Sequence, residues 1–188
     1  MEPLDSSRIQ PDAPFFPAAM RWGLIGGLIS VVYFLLGNTL GFGRPSAGIA
    51  MIAVNFVVSL AISVIVAVMA IKAYRDKDLG GYINFGKAFL TGFVALLISG
   101  VIGIIFSYIY MNFIEPDYAQ NVMRESMEMM EDFGVQMDDA QMEEAMQRGG
   151  NPGSIMSMLF GFLGSAFFSA IISLIVGAVM KKDPAANV

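Results

Sequence analysis

Cysteine and histidine are both absent from the 188 residues. Without cysteine the chain can form no disulfide, thiolate-held zinc site or iron–sulfur cluster, and no thiol nucleophile. Without histidine it lacks the commonest general base and the commonest metal ligand. Charge is scarce too: 14% of residues are Asp, Glu, Lys or Arg, against about 25% in a soluble domain. The formal charge of −5 argues against nucleic acid as a partner. What is present is apolar, 56% of the chain, gathered into long uncharged runs that make a lipid bilayer the natural solvent. Any chemistry would have to use carboxylates, amides, hydroxyls or thioethers.

A helix rising 1.5 Å per residue needs roughly 20 apolar residues to cross about 30 Å of hydrocarbon. Four stretches qualify, at 18–40, 47–71, 85–113 and 154–180. The expected fold is therefore all-α, a polytopic four-helix membrane domain over 18–180 with a helical hairpin, 114–153, between the third and fourth spans. A polar tail at 1–17, with Pro3, Pro11, Pro14 and Pro17, and a short one at 181–188 flank it. The first span is read as retained rather than as a signal peptide. Glu2, Asp5 and Asp12 precede it against only Arg8, and its apolar core is too long.

Four spans put both termini and the 72–84 connection on one side. That side holds eight basic residues, whereas Arg44, Arg124 and Arg148 lie on the other. Cytoplasmic loops are enriched in Lys and Arg, so the termini are expected in the cytoplasm and the 114–153 connection outside. That connection carries ten acidic residues against two basic ones.

Small residues recur every fourth position. The fourth span has Gly153, Ser157, Gly161, Ser165, Ser169, Ser173 and Gly177; the third has Thr91, Ala95, Ser99, Gly103 and Ser107. The second has Asn55, Ser59, Ser63 and Ala67, and the first has Ala19, Gly23 and Gly27. Lipid is as apolar as leucine, so membrane helices associate by close backbone approach over such residues and by hydroxyl hydrogen bonds. A spacing of four is one ridge of the helix, which drifts about 40° per step. The long ladder of the fourth span should therefore meet two helices, or one helix and another subunit. No charge sits at mid-membrane depth, since Arg21 and Lys87 are near span ends, which disfavours ion-coupled transport. Asn38 is expected to cap the turn 41–45, and Asn55 to bond a neighbouring helix or line a polar cavity.

In the acidic connection Pro116 suits the start of a helix running to Phe133, with Gly134 as its stop. Asp138 with Gln141 resembles a capping box for a second helix ending at Gly149–Gly150. Seven of the fifteen methionines lie here, and Met123, Met127 and Met130 share one face. That spacing suits packing against the bundle, lipid or the partner helix. Thioethers also bind soft cations such as Cu(I), but no histidine or cysteine assists them. Asp138, Asp139, Glu143 and Glu144 lack the glycine-containing loop of a calcium site.

On the inner side Tyr74-Arg75-Asp76 leads through Gly80-Gly81-Tyr82 to Phe85-Gly86-Lys87-Ala88-Phe89 and Gly92, with Asn84 placed to cap the third span. These residues, with Glu115-Pro116 closing the third span, the acidic hairpin and the final Lys181-Lys182, resemble a family of four-span membrane proteins common in Bacteroidota. It is catalogued as domain of unknown function 4199. The resemblance covers nearly the whole chain and implies a bacterial inner-membrane location. It implies no activity, so no catalytic residue is assigned, and no metal or cofactor is expected. The leading expectation is a non-enzymatic protein acting by association with itself or an envelope partner. The alternatives are a small channel or carrier, formed as an oligomer whose pore is lined by Ser59, Ser63, Ser99 and Ser165, and soft-metal binding by the methionine face.

Overall fold

Apolar side chains spaced at every angle around a helix leave no polar face for water, and four such helices run through the chain. The computed structural model describes residues 13–134 and 155–182. In chain order they form α1 (Phe16–Leu40), a single 3₁₀ turn (Pro45–Ala47), α2 (Ile49–Lys77), α3 (Phe85–Ile109), α4 (Tyr118–Asp132) and α5 (Ile155–Met180). A π-helical turn, Tyr110–Ile114, prolongs α3. Helices α1, α2, α3 with its extension, and α5 are each long and apolar enough to cross a membrane, which makes this an integral membrane protein. Among the described residues there is no strand, only an isolated antiparallel bridge between Ile83 and Lys182.

Helix α3 is the centre of the bundle: α1 and α5 pack along it, and α2 touches all three. Only 6% of the most apolar stretch of α2 is buried in the chain, against 28% for α1. Helix α2 therefore lies at the bundle's edge with most of its surface toward lipid. The core gathers at the end that carries Ala13, the 78–84 connection and Lys182, around Ala67, Ile71, Tyr74, Ala88, Ala95 and Val176. This is the termini end; α4 and the 41–48 connection mark the other.

The helix ends follow local chemistry. Asn84 caps α3, its side-chain oxygen accepting from the Lys87 amide at 2.8 Å. Gly41 closes α1 at φ +80°, a left-handed backbone that suits glycine because it has no Cβ. Glu115 leaves the helical region, φ −135° and ψ +81°, because a residue preceding proline is disfavoured there. So α4 begins at Tyr118 rather than at Pro116. It ends before Gly134, at φ +81°, as expected.

Two expectations need correction. Helix α2 does not stop at residue 71 but continues to Lys77, so Lys72, Tyr74, Arg75 and Asp76 are helical rather than loop. An apolar run ends at its first charge, whereas a helix continues while it has something to pack against, and here the fully buried Tyr74 extends it. Asn38 does not cap the turn that follows α1. Its oxygen accepts from the Tyr118 hydroxyl at 3.2 Å, and it is Asn55 that ties the turn, donating to the Phe42 carbonyl at 2.6 Å. The turn swings toward α2, within reach of Asn55. The expected second hairpin helix, Met137, Met142, Met146 and the acidic cluster at 138–144 lie outside the described residues, as do Gly153, residues 1–12 and residues 183–188.

Candidate functional site

The two ends of the bundle are built differently. At the termini end the helices touch through small residues. A Cβ added to Gly92 would lie 2.8 Å from Ser173 Oγ and 3.2 Å from Ile71 Cδ1, and one on Gly177 would lie 3.1 Å from the Phe89 backbone nitrogen. Thr91 and Ser173 are fully buried there. The connections are tied as well. Tyr74 donates its hydroxyl to the Ala13 carbonyl at 2.6 Å. Ile83 and Lys182 exchange two backbone hydrogen bonds of 2.9 and 2.8 Å. Lys182 Nζ stands 5.3 Å from the centre of the Tyr82 ring, a cation–π distance.

Toward the α4 end the bundle opens. A Cβ on Gly100 would still collide with Ser165 Oγ, but one on Gly103, Gly161 or Gly164 would meet nothing within 4 Å. Between α3 and α5 the gap measures about 290 Å³. Between α1, α2 and α3 a larger cavity of about 390 Å³ is walled by Phe34, Phe42, Ile62 and Phe106 and carries Tyr33, Asn38 and Asn55. Gly103 and Ser107 border both spaces, so the face of α3 bearing them separates two halves of one cleft.

Inside the larger cavity the Tyr33 hydroxyl makes a short hydrogen bond to the Asn55 side-chain oxygen. Asn55 thus accepts from α1 and donates to the turn. The amide nitrogen of Asn38 is buried and has no partner among the described residues. Below the mouth Phe34 meets Tyr110 edge-on, ring centres 5.1 Å apart, and Tyr110 meets Tyr118 at 5.3 Å, geometries that aromatic quadrupoles favour.

An ionic latch holds α4 over this end. Arg44 reaches Glu115 at 3.0 Å and Glu125 at 3.1 Å. The Ser46 hydroxyl donates to Glu125 at 2.9 Å, and Tyr110 donates to Glu115 at 2.8 Å. The side chains of Arg44 and Glu125 are 26% and 14% exposed, so the pair is shielded from solvent more than a surface pair. Burial works against the Arg44 charge, but its hydrogen bonds to Glu125 and Glu115 outweigh that and raise its pKa. Burial likewise pushes the Glu125 carboxyl up, and the hydroxyl and amide of Ser46 with the Arg44 guanidinium more than reverse it, holding it below the usual glutamate value. Burial raises the Tyr118 phenol, so it stays a donor to Asn38.

A carboxyl whose pKa is lowered by folding adds stability above its unfolded value and loses it as pH falls through the folded one. The latch is therefore intact at neutral pH and weakens below the ordinary glutamate range. Melting of the detergent-solubilised chain from pH 7 to pH 3 should show a decline that Glu125→Gln reduces. At pH 7 Arg44→Ala should cost between the ~1 kcal/mol of an exposed pair and the ~3 kcal/mol of a buried one.

The residues singled out in the sequence fall into three groups. Gly23 and Gly27 of α1 lie against α3: a Cβ on them would stand 2.7 Å from Ile98 Cβ and 2.5 Å from Ile102 Cδ1. Ser99 donates to the Gly23 carbonyl at 2.8 Å across the same contact. Ser165, Ser169, Ser173 and Gly177 face inward on α5, whereas Gly161 is exposed. Ser59 and Ser63 line the larger cavity, and Ser63 donates to the Ser59 carbonyl at 2.9 Å. Ser59 and Ser63 thus share that cavity, whereas Ser99 sits on the α1–α3 contact and Ser165 on the α3–α5 contact.

The family-motif residues divide between the ends. Tyr74 and Gly92 are buried at the termini end; Phe85 and Phe89 stack along α3, ring centres 6.3 Å apart. Gly81 closes the turn after α2, its amide donating to the Arg75 carbonyl at 2.8 Å. Arg75 pairs with its neighbour Asp76 at 2.7 Å, and Gly86 and Lys87 occupy the first turn of α3. Glu115 belongs to the latch at the other end, beside exposed Pro116. Met127 is buried in α4, with Met123 and Met130 half-buried. Among the described residues no three Asp or Glu side chains cluster as metal ligands.

Sequence reasoning missed the Arg44 latch and the Tyr33–Asn55 pair. A signal for the cavity was present: Ser30, Tyr33, Gly37 and Asn38 recur at helical spacing along one face of an otherwise apolar span. The latch left no local signal, because Arg44 and Glu125 stand 81 residues apart.

No curated protein and no solved structure matches the chain. Residues 21–182 match the family model described as "Protein of unknown function (DUF4199)". That stretch runs from within the first two turns of α1 to the Ile83–Lys182 bridge and takes in most of the first candidate span and all of the other three, so the chain belongs to the DUF4199 family.

Proposed function

We propose that this membrane protein is non-enzymatic and works by helix association, pairing with a second copy of itself through the α4-end half of α5. The observation that carries this is the split use of one ladder. Ser169, Ser173 and Gly177 are buried within the chain, while Gly161, at the edge of the gap to α3, and Gly164 are exposed, with nothing among the described residues within 4 Å of an added Cβ. In lipid such a face is stabilised by close approach of another helix rather than by hiding apolar surface, and a twofold pairing of α5 with α5 makes the face self-complementary. The termini lie in the cytoplasm of a bacterial inner membrane and the α4 end on the periplasmic side, a reading supported by the excess of Lys and Arg at the termini end.

Chemical crosslinking in native membranes and native mass spectrometry in mild detergent test this. The wild type should be dimeric, and Gly164→Leu, whose Cβ meets nothing within 4 Å among the described residues, should shift it toward monomer about tenfold without lowering its melting temperature. A strictly monomeric wild type would overturn the reading. A second reading, a small carrier, is favoured by a cleft that is open toward one end and closed by Ala67, Ile71, Thr91 and Ser173 at the other. Flux of uncharged solutes into liposomes separates the two.

A further inference from the structure

We propose that the cavity between α1, α2 and α3 is a binding site for an uncharged amphiphile. Its one polar group, an ester or ketone carbonyl, would accept a hydrogen bond from the Asn38 amide while its chain lies among Phe34, Ile62 and Phe106. The size fits: about 390 Å³ lies within the 300–1,000 Å³ of small-molecule sites. The depth fits as well. Ser30 lines the cavity and stands ten residues before the end of α1, which is ~15 Å into the span at 1.5 Å per residue.

The hydrogen-bond inventory selects the ligand. Ser30 spends its hydroxyl proton on the Gly26 carbonyl at 2.9 Å, and Ser63 spends its own on the Ser59 carbonyl at 2.9 Å. The Tyr33 proton goes to Asn55, and Asn55 donates to the Phe42 carbonyl. The Tyr118 proton goes to Asn38. Among the described residues, the Asn38 amide nitrogen is then the one buried side-chain donor of the cavity wall without an acceptor. A buried donor left unmet costs about 1–3 kcal/mol, so the site is complementary to a molecule bringing one acceptor. The Ser59 and Ser107 hydroxyls also line the cavity, but neither is a buried unmet donor. Only the Asn38 amide therefore gains a first partner from a ligand, and a sugar or other polyol would bring many groups for that one unmet donor. An anion would need a cation, and Arg44 is already shared by Glu115 and Glu125. The site stands whether or not the chain dimerises through α5, since none of its walls belongs to α5.

The test is photolabelling of the full chain in nanodiscs with a diazirine-bearing long-chain methyl ester, read by mass spectrometry of the peptides. A diazirine-bearing alkane and the corresponding fatty acid at pH 8 are run beside it. The ester should label the α1 peptide around residues 30–38 and the α3 peptide around 103–107, and unlabelled ester should compete. Asn38→Leu should cut that labelling about five- to tenfold, the value of one hydrogen bond to a neutral acceptor. Gly103→Leu places its side chain in the open cleft, where a Cβ meets nothing within 4 Å, and should abolish labelling while the melting temperature holds. It keeps the test decisive if Asn38→Leu fails to fold. Equal labelling by the alkane or the fatty acid would overturn the assignment. So would full labelling of a folded Asn38→Leu or Gly103→Leu protein.

Discussion

Replacing Gly23 with leucine should unfold the α1–α3 contact and remove most of the folded protein from detergent extracts. A Cβ at that position stands 2.7 Å from Ile98 Cβ and 2.8 Å from the Ala95 carbonyl oxygen. The second neighbour is backbone within a helix, so it cannot rotate away, and the helices must separate. Separation also breaks the Ser99–Gly23 hydrogen bond of 2.8 Å, worth roughly 0.6 kcal/mol in a membrane helix pair. Overpacking in a close-packed interior costs about 1–3 kcal/mol when side chains can adjust, and with backbone opposed the expected loss is ~3 kcal/mol or more. The measurement is the denaturant midpoint in mixed micelles. Gly103→Ala is the control, in the same kind of ladder but with no neighbour within 4 Å of its Cβ, and it should leave the midpoint unchanged or slightly raised. Equal behaviour of the two variants would show that small residues here do not work by close approach.

That contrast marks how far the sequence could be read. Four spans were legible because a bilayer demands length and apolarity, and both are properties of a contiguous run. The Asn84 cap and the Gly134 stop were legible for a similar reason, since each is settled within a few residues. The ladders were legible as a pattern, but the pattern does not say which rungs are used. Ser169 and Gly161 look alike in the sequence, yet one is buried and the other faces open space. Their difference arises from the splay of α5 from α3, which depends on the crossing of whole helices. The latch from Arg44 to Glu115 and Glu125 was not legible at all. Glu115 and Glu125 are two of ten acidic residues in the 114–153 connection, and nothing near Arg44 in the chain marks them as its partners. Asn55 lay between these cases: its polarity in an apolar span announced a bond, but only the fold of the turn 41–44 shows that the bond goes to Phe42.

The closed and open ends also differ in what holds them. Toward the α4 end the mouth is fixed by charge and aromatic edges, contacts that change with pH or with movement of α4. At the termini end it is fixed by buried bulk and backbone pairing, which do not. A cleft that admits a ligand from one side needs this asymmetry, because the closed end must hold the helices while the other yields.

Tyr74 carries much of that closed end, and Tyr74→Ala should be the most damaging truncation in α2. The side chain is 1% exposed and is the largest fully buried one among the described residues. It belongs to the same buried cluster as Ile71, Ala70 and Ile83. Removing a buried aromatic ring typically costs 3–5 kcal/mol, because the lost contacts are joined by a cavity that the surroundings fill only in part. Here the neighbours are long helices tied by the Ile83–Lys182 bridge, so little collapse is available and the upper half of that range is expected. Tyr74→Phe separates the hydroxyl from the ring. It keeps the bulk and loses the 2.6 Å bond to the Ala13 carbonyl, so it should cost about 1 kcal/mol and free the segment before α1 to proteolysis. Denaturant midpoints of the three proteins in mixed micelles, with limited proteolysis of each, give the measurement. If Tyr74→Phe proved as damaging as Tyr74→Ala, the hydroxyl and its bond to Ala13 rather than the buried ring would be what keeps this end shut.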